Sequence, residues 1–208
     1  MTTSAPAAPA RVARRGPGRP RNEDIDALVL AAVLELIDDK EEVTAARVVE
    51  RSGVSRAALY RRWPSLTTLI AAALDVGREV PPPIPTDGDL REAIFSMLFG
   101  GAGAGGLDYP EERFRQRIRL AMADRGLQKA YWSSHVSRRR APMEDALRAG
   151  IEQGILRPDL DAEACFDLIA GVFYYQVVVR GDRLYDAATR DRCRAALEVA
   201  WQGMLPNS

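Results

Sequence analysis

Apolar residues recur at three- and four-residue steps from about residue 22 to the end of the chain. Ile25, Leu28, Val29, Ala32, Val33 and Leu36 form one such stripe. It predicts an amphipathic helix capped by Asn22, with Glu23, Asp24 and Asp26 in its first turn. A second helix is predicted from Thr44, a good cap, to Ser52, and Gly53 ends it because glycine takes the left-handed geometry of a helix stop. Ser55 caps a third, with Ala58, Leu59 and Trp63 on one side. Pro64 and Ser65 break and restart the chain into a helix over 66–78, and Pro81, Pro82, Pro83 and Pro85 mark a boundary. Beyond it the spacing predicts helices over 89–99, 110–123, 127–153 with Pro142 as a kink or break, 161–179 and 187–204. Residues 172–179 (VFYYQVVV) have high β propensity, but no alternating partner is in sight and a lone strand would leave its backbone groups unpaired. An all-α fold is expected, divided into an arm over 1–21, a three-helix unit over 22–80 and a larger helical domain over 81–208.

A short helix, a tight turn holding glycine and a second short helix make a helix-turn-helix. Val48, Val49, Val54 and Leu59 can set the angle between the two helices, which leaves Ser55, Arg56, Ala57, Tyr60 and Arg61 on the outer face of the second. Ser55 and Ala57 are short enough to let that face approach a major-groove floor. Arg56 can reach a guanine bidentately, and Tyr60 suits a phosphate oxygen or a thymine methyl. Thr44 would offer its hydroxyl and the helix's unpaired N–H groups to another phosphate.

Composition first argues against this and then for it. Lys+Arg 29 against Asp+Glu 29 gives a formal net charge of zero, a poor match to a polyanion. The charge is segregated, however. Residues 1–21 hold Arg11, Arg14, Arg15, Arg19 and Arg21 and no acid (+5), residues 47–62 hold five arginines against Glu50 (+4), and the remainder is therefore −9. Lys40 and Lys129 are the only lysines, so the positive charge is almost wholly guanidinium, whose fork of donors suits phosphates and guanine edges. Gly18, Arg19 and Pro20 resemble the core of an AT-hook, which lays arginine along a narrow minor groove, and Arg19 and Arg21 are expected to touch DNA.

Along 43–65 (VTAARVVERSGVSRAALYRRWPS) the chain resembles the TetR family of bacterial transcriptional regulators. Gly53, Val54 and Ser55, followed by Leu59 and Tyr60 and an aromatic before Pro64 and Ser65, carry the resemblance. It implies that Thr44, Ser55, Arg56, Ala57 and Tyr60 face DNA and that Trp63 is structural. Relatives often carry Ser or Thr at Ala58 and Lys at Leu66, so phosphate affinity here would have to come from Arg61, Arg62 and the arm. A second resemblance, to one TetR subgroup, spans 148–175 through Gly154, Ile155, Leu156, Arg157, Pro158, Asp159 and then Gly171, Phe173, Tyr174 and Tyr175. It implies that the last two long helices pair with a second copy. Phe166, Ile169 and Phe173, with Ala196, Val199 and Trp201, supply apolar surface for such a homodimer interface; the competing reading makes them internal core. The family also implies an effector cavity for a small molecule, for which Phe95, Phe99, Phe114, Tyr131, Trp132 and Tyr174 are candidates beside the alternative of plain core. Arg113, Arg115, Arg117 and Arg119 are expected to be mostly solvated; an inward-pointing one would indicate an anionic effector.

The full expectation is a ligand-responsive regulator, a repressor that binds palindromic double-stranded DNA as a homodimer and is released by a small molecule. Two rivals stand beside it. Gly101, Gly103 and Gly106 spell GxGxxG, the mark of a nucleotide-dependent enzyme, although no βαβ alternation surrounds them and Asp124 closes a helical stretch. The other is an architectural DNA-binding module with no specific operator. His135, the only histidine, lies beside Ser133 and Ser134 without a carboxylate nearby in sequence, so no catalytic residue is expected. Cys165 and Cys193 lack ligand spacing and are expected to be reduced and buried, with no metal and no cofactor. No apolar run reaches the roughly 18–20 residues that cross a bilayer, and the N-terminus lacks an apolar signal core, so a cytoplasmic protein away from membranes is expected.

Overall fold

The computed structural model describes residues 22–100 and 111–206, and among these every regular element is helical. The first four helices are α1 (Asn22–Asp38), α2 (Ala45–Ser52), α3 (Arg56–Arg62) and α4 (Leu66–Ala73). Then come α5 (Leu90–Phe99), α6 (Glu111–Ala123), α7 (Arg125–Tyr131), α8 (Ser137–Glu152), α9 (Ala162–Tyr174) and α10 (Ala187–Met204). A π-helical turn over Trp132–Val136 joins α7 to α8, and another over Tyr175–Arg180 prolongs α9.

Short polar side chains start most of these helices by accepting from otherwise unpaired N–H groups, each worth about 1 kcal/mol. Thr44 and Ser55 do this for α2 and α3, Ser65 and Thr68 form a reciprocal capping box on α4, and Asp89, Asp124 and Asp161 cap α5, α7 and α9. Three boundaries differ from the pattern-based expectation. The helix from Leu66 ends at Ala73, and turns carry the chain on to Gly77, whose φ is 77°. The long helix expected over 127–153 starts at Arg125 on the Asp124 cap and changes register at Trp132–Val136; Pro142 sits inside α8. Residues 172–179 are helical, but their bonding turns to the π pattern from Tyr175, where the β-branched run begins to crowd the helix.

Two hydrophobic cores result. One joins α1 to α2, α3 and α4 through Val33, Leu36, Val48, Leu59 and Leu69, and draws Leu127 and Tyr131 from α7 into the same cluster. The other packs Ile94, Phe95 and Phe99 of α5 against Met143 and Leu147 of α8, Ile169 of α9 and Trp201 of α10. At Gly150, α8 approaches α5 so closely that a Cβ would lie 2.5 Å from Leu90 Cδ2. α7 thus follows the second unit's first two helices in sequence, yet packs on α4 of the first.

Candidate nucleic-acid interface

The helix-turn-helix forms as its sequence dictates. Gly53 takes φ 67°, a left-handed conformation that suits glycine, and its N–H closes α2 on Val49 O. Val54 turns inward, Leu59 is wholly buried, and Ser55 Oγ accepts from Ala58 N at 3.3 Å to start α3. Thr44 Oγ1 accepts from Arg47 N at 3.3 Å in the same way. Both hydroxyls keep their own proton to donate outward. The outer face of α3 presents Arg56, Ala57, Tyr60 and Arg61, all exposed, with the Arg56 guanidinium 5.6 Å from the centre of the Tyr60 ring.

The arginines here do not act alike. Arg51 is bound to Asp39 at 2.7 Å and Glu41 at 3.1 Å, and Arg47 to Glu41 at 3.4 Å. Arg62, largely buried, pairs with Asp26 and donates to Ala58 O at 3.2 Å, which removes it from the phosphate-binding role expected of it. Among the described residues Arg56 and Arg61 have no ion-pair partner. The local +4 of the sequence is therefore partly neutralised by acids from α1 and the turn after it, and what remains is concentrated on one face of α3. Arg19 and Arg21 lie outside the described residues.

The second surface lies on α9 and α10. Ala164, Leu168 and Gly171 run along one exposed stripe of α9, continued by Tyr175 and Val179 in the π turn, and Ala195, Ala196, Val199 and Gly203 along one of α10. A groove of about 410 Å³ brings the two together, lined by Ala164, Leu168, Val199 and Gly203 among others. Val199 is 75% exposed. Four of the residues assigned to this interface from sequence point elsewhere. Ile169 and Trp201, 3% and 4% exposed, belong to the chain's own core, and Phe166 and Phe173 pack beside them, Phe166 beneath the Arg140 guanidinium and Phe173 against Phe99. α9 is apolar on two sides, and its larger residues serve the internal one. The helix Ala162–Arg180, with mean hydropathy 1.4, is long and apolar enough to cross a membrane by length and composition alone, but Glu163 and Asp167 interrupt its apolar run and it packs on α8 and α10.

The effector candidates divide into three groups. Phe95 and Phe99 are core of the second cluster, and Trp132 is half exposed, stacked on Arg140 over a shallow hollow. Phe114, Tyr131 and Tyr174 do gather. Phe114 and Tyr174 rings are 5.9 Å apart, and between Phe114 and Tyr131 lies the Arg117 guanidinium, 4.5 and 5.6 Å from the two ring centres. Arg117 is only 2% exposed, the inward-pointing member of the α6 arginines, whereas Arg113 pairs with Asp38 of α1 at 2.7 Å. Tyr131 Oη accepts from Arg117 at 3.0 Å, from Arg139 at 3.0 Å and from Arg78 at 3.2 Å, and burial pushes its pKa up to about 12 against the pull of Arg78 and Arg138. Asp75, just beyond α4, accepts from Arg138 and Arg139 of α8, and His135 Nδ1 lies 2.9 Å from it. That carboxylate was not foreseeable from the local sequence, because 60 residues separate His135 from Asp75. Ser133 donates to Ala130 O, so it forms no hydroxyl–imidazole pair with His135.

A family profile described as "Tetracyclin repressor-like, C-terminal domain" matches residues 84–196. The chain belongs to the TetR family. This TetR-family protein is 29% identical over 177 residues to YdeS, an HTH-type transcriptional regulator of Bacillus subtilis (strain 168), spanning 84% of this chain and 88% of that one. It is 43% identical to Rv2250c, an HTH-type transcriptional regulator of Mycobacterium tuberculosis (strain ATCC 25618 / H37Rv), over 63 residues, 28% of this chain and 31% of that one. Among solved structures, the TetR family transcription regulator SCO0332 superposes with TM-score 0.51 at 25% identity over 88% of this chain and all of that one. The fold is also that of the flavonoid-responsive regulator FrrA, with TM-score 0.62 at 16% identity over 90% of this chain and all of that one. The TetR-family chain is a ligand-responsive DNA-binding transcriptional regulator. A dinucleotide fold needs parallel strands, and the described residues contain none; the glycines Gly101, Gly103 and Gly106 lie outside them.

Proposed function

We propose that this TetR-family regulator is a repressor that reads an inverted-repeat operator as a homodimer and leaves it when a small molecule enters the larger domain. The observation that carries the reading is the outer face of α3, where Arg56 and Arg61 stand exposed beside Ala57 and Tyr60 while the neighbouring arginines are held by acids. Arg56 reaches a guanine edge, Ala57 meets the groove floor, and Tyr60, Arg61 and the hydroxyls of Thr44 and Ser55 take phosphates. Arg19 and Arg21 follow the adjacent minor groove. The paired stripes on α9 and α10, with Ala196 and Val199 among their exposed residues, support a second copy as partner, since glycine and alanine let helices approach closely. Such a dimer would place its two α3 helices about 34–36 Å apart, one turn of DNA. Phe114, Tyr131 and Tyr174 are the part of the effector site that the larger domain assembles, and a cytoplasmic location follows from this role. Selection of bound DNA from a random pool tests the reading: an enriched inverted repeat is expected, and an unenriched pool would overturn the operator-reading function.

A further inference from the structure

The cluster around Tyr131 is assembled from both parts of the molecule. Asp75 and Arg78 come from the turns after α4, Arg117 from α6, Tyr131 from α7, and Arg138 and Arg139 from α8. Arg139 divides its guanidinium between Asp75 Oδ1 and Tyr131 Oη, and Arg138 shares the same carboxylate. Tyr131 supplies no counter-charge, because a phenol held near 12 is neutral at physiological pH. Asp75 is thus a single negative charge serving two guanidinium groups. His135 does not repair the balance on either side, since burial and Arg138 hold it below its ordinary range and keep the ring neutral. The Arg139 side chain is 10% exposed and that of Asp75 7% exposed, so their charges meet with little screening by water. The rings of Phe114 and Tyr174 flank the same cluster, and Tyr174, half exposed, forms its rim towards solvent.

We propose that this junction is the binding site of an organic carboxylate with an apolar body, and that the ligand's carboxylate takes the place of Asp75 on Arg139. The inference rests on the larger domain's being effector-binding and names the ligand class. A guanidinium presents a planar fork that any carboxylate fits bidentately, so ligand and Asp75 are alternatives at one donor set. The body lies against Phe114 and Tyr174. Because the ligand binds Arg139 only where Asp75 has left, it favours the arrangement in which the end of α4 is released from α8, and a ligand shifts an equilibrium only through such a difference in affinity. α4 carries Leu69 into the core beneath α2 and α3, so its release changes the seat of the DNA-reading helix. Asp75 is a built-in competitor in this scheme, and its strength sets the concentration of ligand that the regulator answers.

Calorimetric titration of the full chain with benzoate, 2-naphthoate and decanoate, each beside its uncharged amide, tests this. At least one carboxylate is expected to bind at least tenfold more tightly than its amide. In Asp75→Asn, which keeps the shape and removes the competing charge, that carboxylate should bind at least tenfold more tightly than in the unaltered chain. Arg139→Gln should abolish the preference over the amide; if that variant does not fold, Asp75→Asn decides. The proposal is overturned if no carboxylate outbinds its amide in either the unaltered chain or Asp75→Asn, if Asp75→Asn leaves carboxylate affinity unchanged, or if the preference survives Arg139→Gln. Operator selection is independent of these titrations. An enriched palindrome without carboxylate binding would sink this site and leave the regulator reading intact, whereas an unenriched pool with a carboxylate preference would do the reverse.

Discussion

Arg51 at the end of α2 and Arg56 at the start of α3 carry the same guanidinium group on either side of the turn at Gly53, yet their surroundings differ. Arg51 is spent on Asp39 and Glu41, and Arg56 stacks on Tyr60 facing outward. Arg56→Ala should therefore cost about 1–3 kcal/mol on the selected operator and relax base preference at one position, whereas Arg51→Ala should change affinity for any DNA less than threefold, both read by fluorescence anisotropy. A uniform loss from Arg56→Ala would remove it from base reading. His135 gives a second residue-level expectation. Its folded pKa lies below 6.5, so the stability it lends is complete above about pH 6.5 and is lost as pH falls through the folded value, because the unfolded chain takes up the proton first. With no other histidine in the chain, the melting temperature should fall as pH drops below about 6.5, and His135→Gln should flatten that fall. Caps and turn residues such as Thr44, Gly53 and Ser55 were legible in the sequence because their physics is local. The pairing of His135 with Asp75 was not, since it depends on how α8 docks against the end of α4.

At the scale of whole helices, α9 and α10 each bury one face in the chain's own core and leave an apolar face exposed, the one proposed above to meet a second copy. Leu168→Arg or Val199→Arg adds charge to the exposed stripes and should give a monomer in sedimentation with helix content unchanged. Trp201→Ala empties the core and should cost about 3–5 kcal/mol of stability in denaturant unfolding. A dimer that survives Leu168→Arg and Val199→Arg together would move the interface away from these stripes. Periodicity located both helices and picked out Ala196 and Val199, which are exposed on α10, but on α9 it singled out the bulkiest stripe, Phe166, Ile169 and Phe173, which the chain packs into its own core. On α9 the exposed stripe mixes Leu168 with the small residues Ala164 and Gly171, which hydrophobicity alone does not single out. The register changes at Trp132 and Tyr175 were equally invisible, since a π turn is a compromise between local crowding and the demands of packing on either side.

For the whole molecule, the balanced net charge still separates into parts with opposite tasks. Arg19→Ala should weaken binding to all DNA evenly and lower the slope of log affinity against log salt by about 1, which a salt titration on selected and random sequences would show. The division into a reading unit and a larger domain, drawn from the prolines after residue 80, describes the sequence better than the packing. Leu127 and Tyr131 complete the first core, so a fragment of residues 22–80 should lack a cooperative thermal transition. Laboratory chimeras are where this has practical weight. A regulator assembled by joining this reading unit to a foreign body at the proline stretch would inherit a cavity where α7 belongs, and it would be insensitive or unstable for reasons that have nothing to do with its new ligand. The transplantable piece is discontinuous, and a workable graft carries α7 with it.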